Sequence, residues 1–70
     1  MDVSFLQEEL KRWGELIITV GGSTFEIHGG DNVQFDIQKN IIKFSAPDAQ
    51  YILNANSIAV VKMHLGHIAQ

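Results

Sequence analysis

The stretch LIITVGGSTFEIHGGDNVQFDIQ, residues 16–38, decides how this chain folds. Leu16, Ile18 and Val20 fall in phase with one another, and Ile17 and Thr19 fall between them. That period of two belongs to a strand and not to a helix. Gly21-Gly22 supplies a tight hairpin, because two-residue turns need backbone angles that glycine reaches freely. Phe25 and Ile27 then alternate with Thr24, Glu26 and His28 along the returning strand. Gly29-Gly30-Asp31-Asn32 is the strongest turn signal in the chain. After it, Val33, Phe35 and Ile37 alternate with Gln34, Asp36 and Gln38, the pattern of a half-buried strand. Whether residues 23–37 make one bent strand or two is open at this level, so the chain holds five strands or six.

The pattern continues downstream. A polar kink at Lys39-Asn40 leads to a strand over Ile41 to Ser45, and Ala46-Pro47-Asp48-Ala49 is a turn. Gln50 to Asn54 and Ser57 to His64 are the last two strands, joined by the short Ala55-Asn56 link. Leu65 to Gln70 carries no readable pattern. Upstream, Leu6, Leu10 and Trp13 recur at helical spacing, which predicts a helix over Ser4 to Trp13. Ser4 and Gln7 fit a capping box, with Asp2 as the rival cap, and Gly14 is a left-handed stop. The expected fold is mainly β: an N-terminal helix, then a strongly bent five-stranded antiparallel sheet that closes into a small barrel. Residues 1–70 form one domain with no linker or internal repeat.

Composition bounds the function. A chain of 70 residues buries only about 60% of the surface it exposes when unfolded. With no cysteine, disulfides and thiolate metal sites are excluded. Its hydrophobic content of 46% is more than so small a monomer hides, which predicts a homo-oligomer. The formal charge of −3 disfavours wrapping duplex DNA, which needs clustered Lys and Arg. No leader is read, because Met1 precedes an acid and Glu8, Glu9, Lys11 and Arg12 interrupt the first apolar stretch. No apolar run approaches the roughly 20 residues that span a bilayer. A soluble, cytoplasmic protein with no membrane contact is the expectation.

Candidate chemistry is sparse. His64 and His67 stand three apart beside Met63, and His28 is the remaining histidine. No set of three or four ligands is specified, so no metal is expected. The glycine pairs lack the spacing of a phosphate loop. No nucleophile elbow surrounds Ser23, Ser45 or Ser57. Asp31, Asp36 and Asp48 lie in or beside turns, where carboxylates bond local amides. No enzyme and no cofactor are expected. Lys39 and Lys43, with Phe35 and Tyr51, offer charge and stacking for single-stranded nucleic acid. Phe35 is in phase with Val33 and Ile37, which favours a core position.

A larger pattern runs through these residues. Leu16 to Val20, Gly22, Phe25, Gly30, Phe35-Asp36 and Asn40 before Ile41-Ile42 fall in the order of the first Sm motif. Tyr51 to Asn54 with Ser57-Ile58 is similar to the second. The chain thus resembles the Sm-like family of small β barrels, which includes the Hfq-type proteins. The Arg-Gly or Lys-His signature of the second motif is replaced by Asn54-Ala55-Asn56, and Gln38 stands at the family's stacking position.

The resemblance implies a ring in which the fourth and fifth strands pair between neighbours. Tyr51, Leu53, Val61 and Met63 are then the interface. It also implies a single-stranded RNA site at Asp36, Lys39, Asn40 and Asn56. The competing expectation is a small protein-binding module that docks through an exposed strand edge or through the helix face of Leu6, Leu10 and Trp13.

Overall fold

A computed structural model of the chain describes residues 1–63. The order of elements is helix α1 (Val3–Trp13), then strands β1 (Glu15–Val20), β2 (Ser23–His28), β3 (Val33–Asp36), β4 (Ile41–Ser45) and β5 (Gln50–Asn54). A 3-10 turn (Ala55–Ser57) leads into β6 (Ile58–Lys62). His64 and His67, together with the end of the strand expected over Ser57 to His64, lie outside the described residues.

The helix forms where its apolar spacing places it, but its start is set by Asp2 and not by a Ser4–Gln7 box. Asp2 Oδ1 accepts from the Ser4 amide at 2.8 Å and from the Ser4 hydroxyl at 2.7 Å. These bonds satisfy a donor left free by the first turn. Gly14 closes the helix at φ 81°, with its amide donating to the Leu10 carbonyl at 2.8 Å. Lys11 and Arg12 sit in the last turn, on the negative end of the helix dipole.

The strands do not form one five-stranded sheet, and among the described residues no barrel closes. They make two three-stranded antiparallel sheets, ordered β2-β1-β6 and β3-β4-β5. The division falls at the second glycine turn. His28 donates its amide to Asp31 Oδ2 at 2.9 Å, Asp31 donates to the His28 carbonyl at 3.0 Å, and Val33 donates to the Asp31 carbonyl at 2.9 Å. Beyond Gly29, whose amide donates to the Gly14 carbonyl at 3.0 Å, the backbone between β2 and β3 therefore bonds to itself and not to a neighbouring strand. The other gap follows the 3-10 turn. Among the described residues β5 pairs only with β4, and β6 only with β1.

Register is regular in both sheets. β1 and β2 pair from Glu15↔His28 to Val20↔Ser23 around Gly21, which holds φ 57°. β6 pairs with β1 from Ile17↔Lys62 to Val20↔Ile58, with a bulge that leaves Ala59 as the extra residue. One core lies between the sheets and under the helix. Leu6 and Leu10 from α1, Leu16 and Ile18 from β1, Ile27 from β2, Ile42 and Phe44 from β4, Leu53 from β5 and Ile58 from β6 are all buried in it. Among the described residues no helix is long and apolar enough to cross a membrane.

The two bonds from Ser4, the hydroxyl's first, hold the Asp2 carboxyl below the usual aspartate range. A lowered folded value means that the cap stabilises above the ordinary aspartate pKa and is lost as pH falls through the folded one. The melting temperature of the wild type is therefore expected to drop below about pH 4 by more than that of Asp2→Asn, which keeps a neutral cap. Equal pH dependence of the two in circular-dichroism melts would show that this carboxylate is not the cap.

Candidate nucleic-acid interface

The turn between β3 and β4 gathers most of the residues expected to touch RNA. Asp36 Oδ1 accepts from the Lys39 amide at 3.0 Å, a side-chain-closed turn at the end of β3. Asn40 follows at φ 56°, the one non-glycine residue in the left-handed region among the described residues, where asparagine is among the best tolerated. Its carbonyl accepts from the Ala55 amide at 3.0 Å, which brings the 3-10 turn alongside. Asn56 sits in that turn, and its amide donates to Asn54 Oδ1 at 2.9 Å.

The Asn40 side chain is fully engaged. Its Oδ1 accepts from the Val3 amide at 3.0 Å, and its Nδ2 donates to the Met1 carbonyl at 2.8 Å and to Asn56 Oδ1 at 2.9 Å. The Met1 amine donates to the Ala55 carbonyl at 3.1 Å. Asn40 therefore ties the start of the helix to two loops, and both of its amide hydrogens are used, which leaves it no donor to read a base. Asn56 is held by its carbonyl oxygen, so its Nδ2 is the donor that faces outward from this pair. Lys39 is exposed beside it. Of the four expected residues, the structure brings Asn40 and Asn56 into contact, places Lys39 next to them, and uses Asp36 to shape the turn.

The expected stacking surface is divided. Tyr51 packs edge-on to Phe25 with ring centroids 4.9 Å apart and stacks on Phe44 at 5.4 Å. Its hydroxyl donates to Asp48 Oδ2 at 2.7 Å, and this bond, with burial and the carboxylate charge, raises the phenol pKa above its ordinary value. Tyr51 and Lys43 line a shallow cleft of about 360 Å³ with Gln34, Gln50 and Ile52. Phe35 is elsewhere, in a cleft of about 290 Å³ beside Leu10, Lys11 and Val33 under the helix.

The expected interface residues also face inward. Leu53 is in the core, and Tyr51, Val61 and Met63 are half-buried against it. The apolar side chains that β5 and β6 turn outward are Ile52, 67% exposed, and Val60, 55% exposed. The signal for them is in the sequence: Ile52 is out of phase with Tyr51 and Leu53. Leu6 and Leu10 are buried, so the helix face that they share is spent on the chain's own core and is not a docking surface.

Replacing Asn40 by Ala removes three side-chain bonds and leaves a Cβ at φ 56°. The expected cost in a urea titration is about 3 kcal/mol. Asn40→Gly relieves the backbone strain and is expected to lose about 1 kcal/mol less. Equal losses would mean that the left-handed angle contributes nothing.

No family model, no curated protein and no solved structure matches this chain.

Proposed function

We propose that the chain is a non-enzymatic, self-assembling module of the Sm-like kind, which presents its Asn40–Asn56 end to single-stranded RNA. The observation that carries the assembly is the pair of open edges at β5 and β6. Among the described residues each strand pairs on one side only. Each turns an exposed apolar residue outward, Ile52 on one and Val60 on the other. An uncovered edge is a template for another strand, and β5 of one copy meeting β6 of the next would satisfy both. The short core gives a further reason, since small domains gain stability by association.

The RNA role rests on Asn56 and Lys39. An asparagine amide can bond base edges of an unstacked strand, and a nearby ammonium can neutralise a phosphate. The net charge of −3 suits contact with a few nucleotides and not the wrapping of a long polyanion. The same edges would also accept a strand of a different protein, which is the competing reading.

In light scattering, the chain is expected to run at a multiple of its 7.8 kDa mass at tens of micromolar. The double variant Ile52→Lys, Val60→Lys is expected to fall to a monomer with unchanged circular dichroism. A monomeric wild type would end the assembly proposal. Recovery of one stoichiometric protein partner from the native host would then favour the competing reading.

For RNA, fluorescence anisotropy with short uridine and adenosine oligomers is the direct measurement. Binding that weakens with salt, and weakens about 10-fold in Lys39→Ala and Asn56→Ala, is expected. No binding at tens of micromolar would remove the RNA role and leave assembly standing.

A further inference from the structure

Among the described residues Glu15 is the one buried charged residue, at 2% exposure. It opens β1 and is the register partner of His28, the last residue of β2. Glu26 lies two residues before His28 and so projects from the same face of the strand. The result is a cluster of two carboxylates and an imidazole at one corner of the β1–β2 hairpin. His28 Nδ1 is 3.6 Å from Glu15 Oε2, and His28 Nε2 is 3.1 Å from Glu26 Oε1. One donor atom from each residue can be chosen so that all three lie within 4.8 Å of one another.

We infer that Glu15, Glu26 and His28 form a binding site for a divalent transition-metal ion, with Zn²⁺ the best fit. Three protein ligands of this kind, with water in the remaining position, are a known coordination pattern for zinc. Glu15 lies against Nδ1 and Glu26 against Nε2, so bond lengths of about 2.0–2.2 Å require one carboxylate, the exposed Glu26, to swing towards the nitrogen that Glu15 faces. The imidazole selects against Ca²⁺ and Mg²⁺, which take all-oxygen shells. It favours Zn²⁺ and its neighbours in the first transition row. A doubly charged ion also balances the two carboxylates, one of which is held away from water.

The backbone under the site is rigid. The β1–β2 ladder runs unbroken from Val20↔Ser23 to Glu15↔His28, and the Gly29 amide extends it by donating to the Gly14 carbonyl at 3.0 Å. Asp31 Oδ2 accepts the His28 amide at 2.9 Å and fixes that end of the strand. Two ligands are therefore set by cross-strand register and the third by the period of β2. The ligands belong to α1's exit and to a hairpin remote in sequence from the 36–40 and 54–56 loops, so this site stands or falls independently of RNA binding.

The test is a titration of the full chain with ZnCl₂ by calorimetry, repeated with Co²⁺ while the visible spectrum and the fluorescence of Trp13 are recorded. Trp13, the chain's one tryptophan, is two residues from Glu15 and reports on this corner. Uptake of one equivalent in the micromolar range is expected, with Co²⁺ bands and quenched Trp13 emission. His28→Ala and Glu26→Gln alter partly exposed side chains, 43% and 57% accessible, so both variants should fold. Each is expected to weaken binding by about 10-fold or more. No saturable uptake below about 1 mM would overturn the site. So would uptake unchanged in either variant, which would put the ion on other residues, His64 and His67 included.

Discussion

Side chains alone hold the two sheets together. Among the described residues no ladder bond crosses from β2-β1-β6 to β3-β4-β5. What crosses is the shared core, with Leu16, Ile18, Ile27 and Ile58 on one side and Ile42, Phe44 and Leu53 on the other. Helix α1 covers the junction with Val3, Leu6 and Leu10. At about 25 cal/mol per Å², this burial is the main force that orients one sheet on the other. The aromatic trio of Phe25, Phe44 and Tyr51 reinforces it, because Phe25 comes from the first sheet and its two partners from the second.

The polar groups then set the details that greasy contact cannot. Asn40 satisfies the start of the helix, orders the 3-10 turn and accepts a left-handed backbone, all with one side chain. With both amide hydrogens used, it has no donor left for a ligand. The contact proposed for this end therefore rests on its neighbours, Asn56 and Lys39. Asp31 plays a comparable part at the other end of the molecule, where its carboxylate and carbonyl take up the amides of His28 and Val33 and stop the strand.

Much of this was legible in the residue pattern, and the limits have physical causes. Alternation is a local property, so it located each strand, the Gly14 stop and the Gly21-Gly22 hairpin. Partition into sheets is not local. It depended on Asp31 capturing backbone groups that a continuous bent strand would have offered to its neighbours. Phase gave Phe35 as inward-facing, whereas the resemblance to a ring-forming family placed Leu53 in an interface, and Leu53 is buried in the core while Ile52 and Val60 are the exposed apolar residues. Glu15 passed unnoticed because it sits at the boundary between two patterns, one residue after the helix stop. Only register sets it against His28.

The position of β1 has a consequence for how the molecule is made. It is the middle strand of its sheet, and it precedes every other strand in chain order. Its first edge is covered at once by the hairpin to β2. Its second edge waits for β6, which follows four other strands in chain order. Until β6 emerges, a strand of Leu, Ile and Val therefore has one row of amides and carbonyls unpaired. Long-range pairing of this kind is slow, and nascent chains in this interval depend on dilution or chaperone cover to avoid joining one another through the wrong strand.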